Sequence, residues 1–249
     1  MPAAQGLSEL TAVFAPATAA ALNRALSLPG GLLVCDADGT LWRSDIGEGF
    51  LQHLIAERVL VAPELEGLDV WAEYERRVAA DRTAGFAWAA QVMAGLSEAE
   101  VRRHAEAFAQ VFVPAHLHPE MRVLLGVARR RGVETWIVSA SNHWIVTAAA
   151  PLAGVSPRRV LGIRVQVREG VLTSEAIEPI TNRAGKVDAI RQAVGRSPVL
   201  VAGDSLGDLE MLQMASEAAL LMVRPRSDPA LVELGRRSGW LLHELREGT

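Results

Sequence analysis

The sequence has 249 residues, of which 50% are hydrophobic and 22% are charged, and its formal net charge at pH 7 is −4. A chain of this length can bury one large core, or a core and a small second domain, and its composition argues against a disordered protein. The negative net charge provides no overall basic field, so nucleic acid is not an expected partner.

The cysteine content and the hydropathy pattern bear on the compartment. Cys35 is the only cysteine, so no internal disulfide can form, which favours a reducing environment. The sequence has no run of about 18 apolar residues that would span a membrane, and its first residues lack the pattern of a secretory signal. We therefore expect a cytoplasmic protein without a membrane partner.

The first predicted elements are a helix and a buried strand. The Ala- and Leu-rich stretch 8–28 predicts one helix, which ends at Pro29-Gly30-Gly31. The continuous apolar run 32–35 is typical of a strand that is buried on both faces, as in a parallel sheet.

The next segment, residues 47–110, shows only helical periodicity, interrupted at glycine and proline. Ser97-Glu98-Ala99-Glu100 has the pattern of a capping box, which predicts the start of a helix. The segment is too long for a simple crossover between two strands. We therefore predict an inserted helical cap of residues 46–115 on a catalytic core of residues 1–45 and 116–249.

In the second half of the sequence, apolar runs alternate with helical patterns. Strands are predicted at 135–138, 199–202 and 219–222, helices at 121–131 and 186–194, and a β-hairpin at 163–172. This alternation indicates an α/β fold with a Rossmann-like parallel sheet flanked by helices.

Polar residues follow each of the three clearest strand predictions, in segments 36–40, 139–142 and 203–208. Ligands of open parallel sheets bind outside the carboxyl ends of the strands, so we expect these segments to form one crevice. It would contain the carboxylates of Asp36, Asp38, Asp204 and Asp208. Like charges at short range are costly unless a positive group lies among them.

Mg²⁺ meets this need, because it prefers carboxylate and carbonyl oxygens. Lys186, at the start of a predicted helix, can add a further positive charge. The set suits phosphate chemistry, with Ser139 and backbone N–H groups as hydrogen-bond donors. Each residue alone also fits a structural role: Asp-Gly is a common turn, and Asp204 and Asp208 suit a helix N-cap and first turn. Their combination favours a functional site.

Four motifs of the sequence, in this order, resemble those of the haloacid dehalogenase superfamily. They are Asp36-x-Asp38-Gly39-Thr40, Ser139 after a strand, Lys186, and Gly203-Asp204-x-x-x-Asp208. The likeness extends over residues 32–222, and a helical cap between the first two motifs is similar to that of the phosphoserine phosphatase-like branch. The resemblance implies a helical cap of the C1 type on a Rossmann-like core.

The resemblance also implies a role for each residue. Asp36 would be the nucleophile, and Asp38 would act as general acid and base. Mg²⁺ would be held by Asp36, the main-chain carbonyl of Asp38, Asp204 and Asp208. The phosphoryl group would be bound by Gly39, Thr40, Ser139, Ala140 and Lys186. The expected activity is hydrolysis of a small phosphorylated metabolite through an aspartyl phosphate, and not dehalogenation.

Substrate choice is expected to depend on the cap. By the same resemblance, Asp45 or Glu48 would hold a substrate amine, whereas Gln91 stands about where phosphoserine phosphatases have a carboxylate-binding arginine. Trp42 and Trp88 fall near the entrance or in the cap, and aromatic faces bind quaternary ammonium groups. Two interpretations stay open: an amine-bearing substrate such as phosphocholine or phosphoethanolamine, or tryptophans that only pack the cap.

Two other functions also stay open. The protein could transfer the phosphoryl group to an alcohol instead of water, or it could be a ligand-binding module that has lost the chemistry. The complete set of motifs favours an enzyme. The sequence indicates neither the oligomeric state nor the pathway.

Overall fold

The computed structural model describes the backbone of residues 2–245 and the side chains of residues 5–245. Its strands are β1 (Leu32–Cys35), β2 (Glu134–Asn142), β3 (Val160–Arg168), β4 (Val171–Ile177), β5 (Leu200–Gly203), β6 (Ala218–Val223) and β7 (Leu241–Glu244). They form one seven-stranded sheet in the order β4-β3-β2-β1-β5-β6-β7. Every pairing is parallel except that of the β3–β4 hairpin, so the predicted α/β fold is confirmed.

The central strand β1 is buried on both faces. Leu33 and Cys35 contribute to one hydrophobic cluster, whereas Leu32 and Val34 contribute to a second one. This alternation explains the continuous apolar run, because side chains of both parities are covered by helices. Since β1 lies between β2 and β5, the polar segments that follow these three strands meet at one edge of the sheet.

Eleven α-helices accompany the sheet within the described residues. They are α1 (Pro2–Thr11), α2 (Pro16–Ala25), α3 (Ile46–Ala56), α4 (Val70–Ala80), α5 (Arg82–Gln91), α6 (Glu98–His116), α7 (Pro119–Arg130), α8 (His143–Ala149), α9 (Ala184–Val194), α10 (Leu209–Leu212) and α11 (Pro229–Arg237). Judged by length and hydropathy, none of these helices could cross a membrane.

Two features of the secondary structure differ from what the sequence predicts. The single helix predicted at 8–28 is divided into α1 and α2, because Pro16 starts a new helix after Ala15 in extended conformation. The strand β7 was not predicted from the sequence. It is a short edge strand with partly exposed side chains, so it lacks the apolar run that marks a buried strand.

The region between β1 and α7 is helical, as predicted, and consists of α3 to α6 with a short 3₁₀ turn at Pro63–Leu65. We call these four helices the helical insert. Ser97 caps α6, since its Oγ accepts a hydrogen bond from the N–H of Glu100 at 3.2 Å. The division into a cap of residues 46–115 and a separate core stays a prediction.

The two connections between the sheet and the helical insert lie side by side. The N–H of His118 donates to the carbonyl of Leu41 at 2.8 Å, and the N–H of Arg43 donates to the carbonyl of His116 at 3.1 Å. The chain therefore enters and leaves the insert through a pair of hydrogen-bonded segments.

The helical insert also contacts the β3–β4 hairpin. The N–H of Gly95 donates to the carbonyl of Leu172 at 2.9 Å, and the N–H of Leu172 donates to the carbonyl of Leu96 at 2.9 Å. The N–H of Glu98 donates to the carbonyl of Gly170 at 2.8 Å. These bonds fix the start of α6 against the hairpin.

A substitution at Gly85 tests the close packing of α4 against α5. A β-carbon at Gly85 would lie 2.6 Å from Cγ2 and 2.7 Å from the backbone nitrogen of Val78. We expect G85A to lower the free energy of unfolding in urea by about 1–3 kcal/mol, because the two helices must separate.

The matched control is G126A in α7, where the added β-carbon would meet Arg130 Nη1 at an ordinary 3.4 Å. This variant should be more stable than the parent by about 0.5–1 kcal/mol, because alanine is the better helix former. A G85A protein as stable as the parent would contradict the packing described here.

Candidate active site

A cavity of about 430 Å³ lies at the carboxyl ends of β1, β2 and β5. One side is formed by segments that follow these strands and by the start of α9, and it carries Asp36, Asp38, Lys186 and Asp204. The other side is formed by the helical insert and by the N-cap residue that precedes it, and it carries Asp45, Glu48, Tyr74 and Phe86. The predicted convergence of three strand ends is therefore present.

Lys186 is a buried positive charge at the cavity. Its Nζ donates to Oδ1 of Asp36 at 2.5 Å and to Oδ1 of Asp208 at 2.7 Å, and its side chain is 2% exposed. Gly185 allows this approach, since a β-carbon there would lie 1.8 Å from the carbonyl oxygen of Ile180. A buried ion pair is costly to break from one side, so the three side chains form one unit.

Three buried carboxylates surround this point. Asp36, Asp204 and Asp208 each offer an oxygen within 4.8 Å of the others, and no second group of this kind occurs in residues 5–245. Burial, and then the charge of Asp208, raise the pKa of Asp36 well above its ordinary value, although Lys186 opposes the shift. The same two causes raise the pKa of Asp204 to about 7, against Arg224 and Lys186. The negative charge therefore exceeds its local compensation, and a hard divalent cation fits this donor set.

Asp208 is held by the chain on both oxygens. Oδ1 accepts from Lys186, and Oδ2 accepts from the N–H groups of Asp204 and Ser205 at 3.0 and 3.1 Å and from the Ser205 hydroxyl at 3.2 Å. A β-carbon at Gly203 would lie 2.7 Å from Cβ of Asp208, so glycine is needed at the last position of β5. Asp208 therefore shapes the loop that presents Asp204.

Asp38 accepts hydrogen bonds from four groups. Its Oδ1 accepts from Nε1 of Trp42 at 2.8 Å and from the N–H of Ile46 at 2.7 Å. Its Oδ2 accepts from the hydroxyls of Ser141 at 2.7 Å and Ser139 at 3.3 Å. The indole of Trp42 is thus fully buried against Asp38 and does not line the cavity, although the sequence placed it near substrate.

The predicted phosphate-binding residues divide into two groups. Gly39, Ala140 and Lys186 line the cavity, whereas Thr40 and Ser139 are fully buried behind it. The hydroxyl of Thr40 has no hydrogen-bond partner among the described residues. Ser139 Oγ donates to Asp38 and accepts from the N–H of Ser141 at 3.0 Å, so Ser139 positions its neighbours.

The acidic side chains of the helical insert face the same cavity. Asp45 Oδ1 caps α3 by accepting from the N–H of Glu48 at 2.8 Å, and Glu48 Oε1 accepts from the hydroxyl of Tyr74 at 3.1 Å. The pKa of Asp45 is raised well above its ordinary value by burial, then by the charges of Asp38 and Glu48. Within residues 5–245 no ion pair is formed by Asp38, Asp45 or Glu48, so a cation from solution would be stabilised among them.

Trp88 lies outside the cavity lining and packs in a hydrophobic cluster of the helical insert, with the Arg77 guanidinium 4.9 Å from its ring centroid. Gln91 is also directed elsewhere, since its Nε2 donates to the carbonyl of Ser174 at 2.9 Å. The aromatic rings at the cavity are those of Tyr74 and Phe86. Tyr74 stands in no recognisable motif, so only the packing of α4 and α5 reveals it.

The raised pKa values predict how stability depends on pH. A carboxyl whose pKa is higher in the folded than in the unfolded protein stabilises the fold at low pH, and that contribution is lost as the pH rises. For Asp204 this contribution to stability is lost between pH 3.8, the ordinary pKa of the group, and about pH 7, its pKa in the folded protein. EDTA-treated protein should therefore lose stability between about pH 4 and about pH 7 in urea unfolding, and D204N should lose less. Identical pH profiles for the two proteins would contradict this assignment.

Comparisons with known proteins agree with this geometry. A family model described as haloacid dehalogenase-like hydrolase matches residues 33–213. A histidinol-phosphatase of Neisseria meningitidis serogroup C (strain 8013) is 26% identical over 221 residues, which cover 84% of this chain and 96% of that protein.

Solved structures share the fold at low sequence identity. A protein of unknown function from Bordetella pertussis Tohama I superposes with a TM-score of 0.72 at 18% identity, over 85% of this chain and 96% of that chain. A phosphoserine phosphohydrolase-like protein from Francisella tularensis subsp. tularensis SCHU S4 superposes with a TM-score of 0.59 at 13% identity, over 86% and 94% of the two chains. The fold is thus the one expected from the resemblance to the phosphoserine phosphatase-like branch. Since the family model covers most of the sequence, this chain belongs to the haloacid dehalogenase-like hydrolases.

Proposed function

We propose that this protein is a Mg²⁺-dependent phosphatase that hydrolyses a small-molecule phosphomonoester through an aspartyl phosphate on Asp36. The observation that carries the proposal is the buried triad of Asp36, Asp204 and Asp208, with Lys186 bonded to two of its members. Membership of the hydrolase family and the histidinol-phosphatase relative support the class of reaction.

The donor set suits Mg²⁺, which prefers oxygen ligands and retains several waters. Asp36, Asp204 and the main-chain carbonyl of Asp38 would hold the ion, while Asp208, whose oxygens are occupied by Lys186 and the loop, would support it from behind. When bound, the ion would neutralise charge on the phosphoryl oxygens and on the nucleophile.

In the first step, a carboxylate oxygen of Asp36 attacks phosphorus in line, and the bond from phosphorus to the substrate oxygen breaks. Asp38 gives its proton to the leaving alcohol. Lys186 and the backbone N–H groups near Gly39 and Ala140 bind the phosphoryl oxygens. Ser139 and Ser141 can support either protonation state of Asp38, because a hydroxyl can donate to a carboxylate or accept from a carboxylic acid.

In the second step, Asp38 takes a proton from a water molecule that attacks the aspartyl phosphate. The bond between phosphorus and the Asp36 oxygen breaks, so inorganic phosphate leaves and the carboxylate is restored. The helical insert would act as a cap that closes over the substrate and limits access of water during these steps.

For the substrate, we propose a phosphomonoester of an amine-bearing alcohol. Asp38, Asp45 and Glu48 border one cavity without a cationic partner from the chain, and an ammonium or imidazolium group would relieve their repulsion. Tyr74 fixes Glu48 by its hydrogen bond. The histidinol-phosphatase relative is named for the ester of such an alcohol.

The nucleophile is tested by D36N. Turnover of a phosphomonoester with Mg²⁺ should fall by ~10⁴-fold or more, because the amide cannot form the covalent intermediate. The matched control is D188N on α9, an exposed aspartate outside the cavity, which should keep parental turnover. Circular dichroism checks that both variants fold, and near-parental activity of D36N would refute the assignment.

Two further measurements separate the alternatives of transferase and binding module. Beryllium fluoride with Mg²⁺ should form an adduct on Asp36, which mass spectrometry or ¹⁹F NMR detects, and a binding module would form none. Product analysis with an added alcohol should show inorganic phosphate as the main product, whereas a transferase would yield the new phosphate ester.

The amine proposal is tested by E48Q. KM for histidinol phosphate and phosphoethanolamine should rise about 10- to 100-fold, because one charge-assisted contact is worth about 1.5–3 kcal/mol. KM for glycerol phosphate, which has no amine, should change little. Equal changes for amine-bearing and amine-free esters would exclude Glu48 as the amine partner.

A further inference from the structure

Arg224 follows the carboxyl end of β6 and places its guanidinium against Asp204, where Nη2 donates to Oδ2. The Asp204 side chain is 2% exposed, whereas that of Arg224 is 42% exposed. The Arg224 backbone is fixed independently, because its N–H donates to Ser227 Oγ at 2.9 Å and its carbonyl accepts from the N–H of Ser227 at 2.9 Å. The guanidinium can therefore move into solvent without a change of the main chain.

The guanidinium lies beside the segment 36–40 that follows β1. A β-carbon at Gly39 would be 2.4 Å from Oδ2 of Asp204 and 2.8 Å from Cζ of Arg224. The Asp204 carboxylate, the Arg224 guanidinium and the backbone that follows Asp38 therefore meet at one point. Arg224 occupies space around an oxygen that a divalent ion bound to Asp204 would need.

The two cations that pair with the buried carboxylates differ in their freedom to leave. Lys186 is enclosed between Asp36 and Asp208, and neither of its ion pairs involves Asp204. Arg224 supplies the ion pair of Asp204 that the structure shows, and its side chain borders the open cavity. A divalent ion and a guanidinium in contact with the same carboxylate repel each other, so the partly exposed guanidinium of Arg224 should be displaced.

We propose that Arg224 is a built-in counter-ion of Asp204, which occupies this carboxylate in the metal-free protein and is expelled when Mg²⁺ binds. The inference rests on the proposed metal site and adds a competing group to it. Its consequence is a weaker affinity for Mg²⁺ than the carboxylates alone would give, since binding must first break the Arg224–Asp204 pair.

The test compares Mg²⁺ binding to EDTA-stripped, dialysed protein by isothermal titration calorimetry. R224Q should bind Mg²⁺ with a Kd at least about fivefold lower than the parent, as expected for removal of a competing interaction. R224K retains the charge and should stay near the parental Kd. The shift of Tm on addition of Mg²⁺ provides a second readout and should be larger for R224Q than for the parent.

The matched control is R183Q. Arg183 also lines the cavity and carries one positive charge, but its ion pair is with Glu210, at 3.7 Å. The R183Q substitution should change the Kd for Mg²⁺ less than the R224Q substitution does. An equal decrease of the Kd for Mg²⁺ in both variants would mean that the loss of either positive charge has the same effect, and it would overturn the inference.

The remaining outcomes are also decisive. An unchanged or weaker affinity of R224Q, with normal binding by the parent, would refute the role of Arg224 and leave the phosphatase proposal intact. A parent protein that takes up no Mg²⁺ in either readout would refute both the metal site and this inference.

Discussion

Asp36, Asp204 and Asp208 bring carboxylate oxygens within 4.8 Å of one another in a place that water hardly reaches. Such an arrangement is unfavourable in isolation, because burial and mutual repulsion both penalise the charged forms. Lys186 offsets part of this cost through two short hydrogen bonds. Gly185 and Gly203 have no β-carbon, so the backbone can approach its neighbours closely at these positions. The parallel order of β2, β1 and β5 supplies the carboxyl ends that carry the acids.

The cavity joins two chemically different halves. The carboxyl ends of the strands supply the groups that the proposed phosphoryl ester and metal ion require, whereas the helical insert and its N-cap supply Asp45, Glu48 and Tyr74, the proposed contacts of the remainder of the substrate. Asp38 connects the halves, because it accepts from Ile46 at the start of α3 and from Ser141 at the end of β2. Any displacement of α3 would thus change the hydrogen bonding of Asp38, the proposed general acid.

Sequence patterns predict the buried sheet well and the insert's surface poorly. Residues 32–35 and 199–202 stand out because both faces of their strands are covered, whereas the half-exposed β7 gives no such signal. Asp36 and Asp204 lie together because parallel strand ends meet, and Lys186 reaches Asp36 from the start of α9. The direction of Trp42 could not be foreseen, since the irregular backbone after β1 has no periodicity that fixes a side chain. Tyr74 and Arg224 reach the cavity only through the packing of separate elements.

The paired connections at Leu41–Arg43 and His116–His118 have a consequence for how such a protein can diversify. Because both ends of the insert lie next to each other on the sheet, the entropy of closing that loop depends only slowly on how many residues it contains. Shorter, longer or differently folded insertions can be spliced at this junction without disturbing strand order. Evolution can therefore exchange the helical insert while the order of the strands in the sheet is kept.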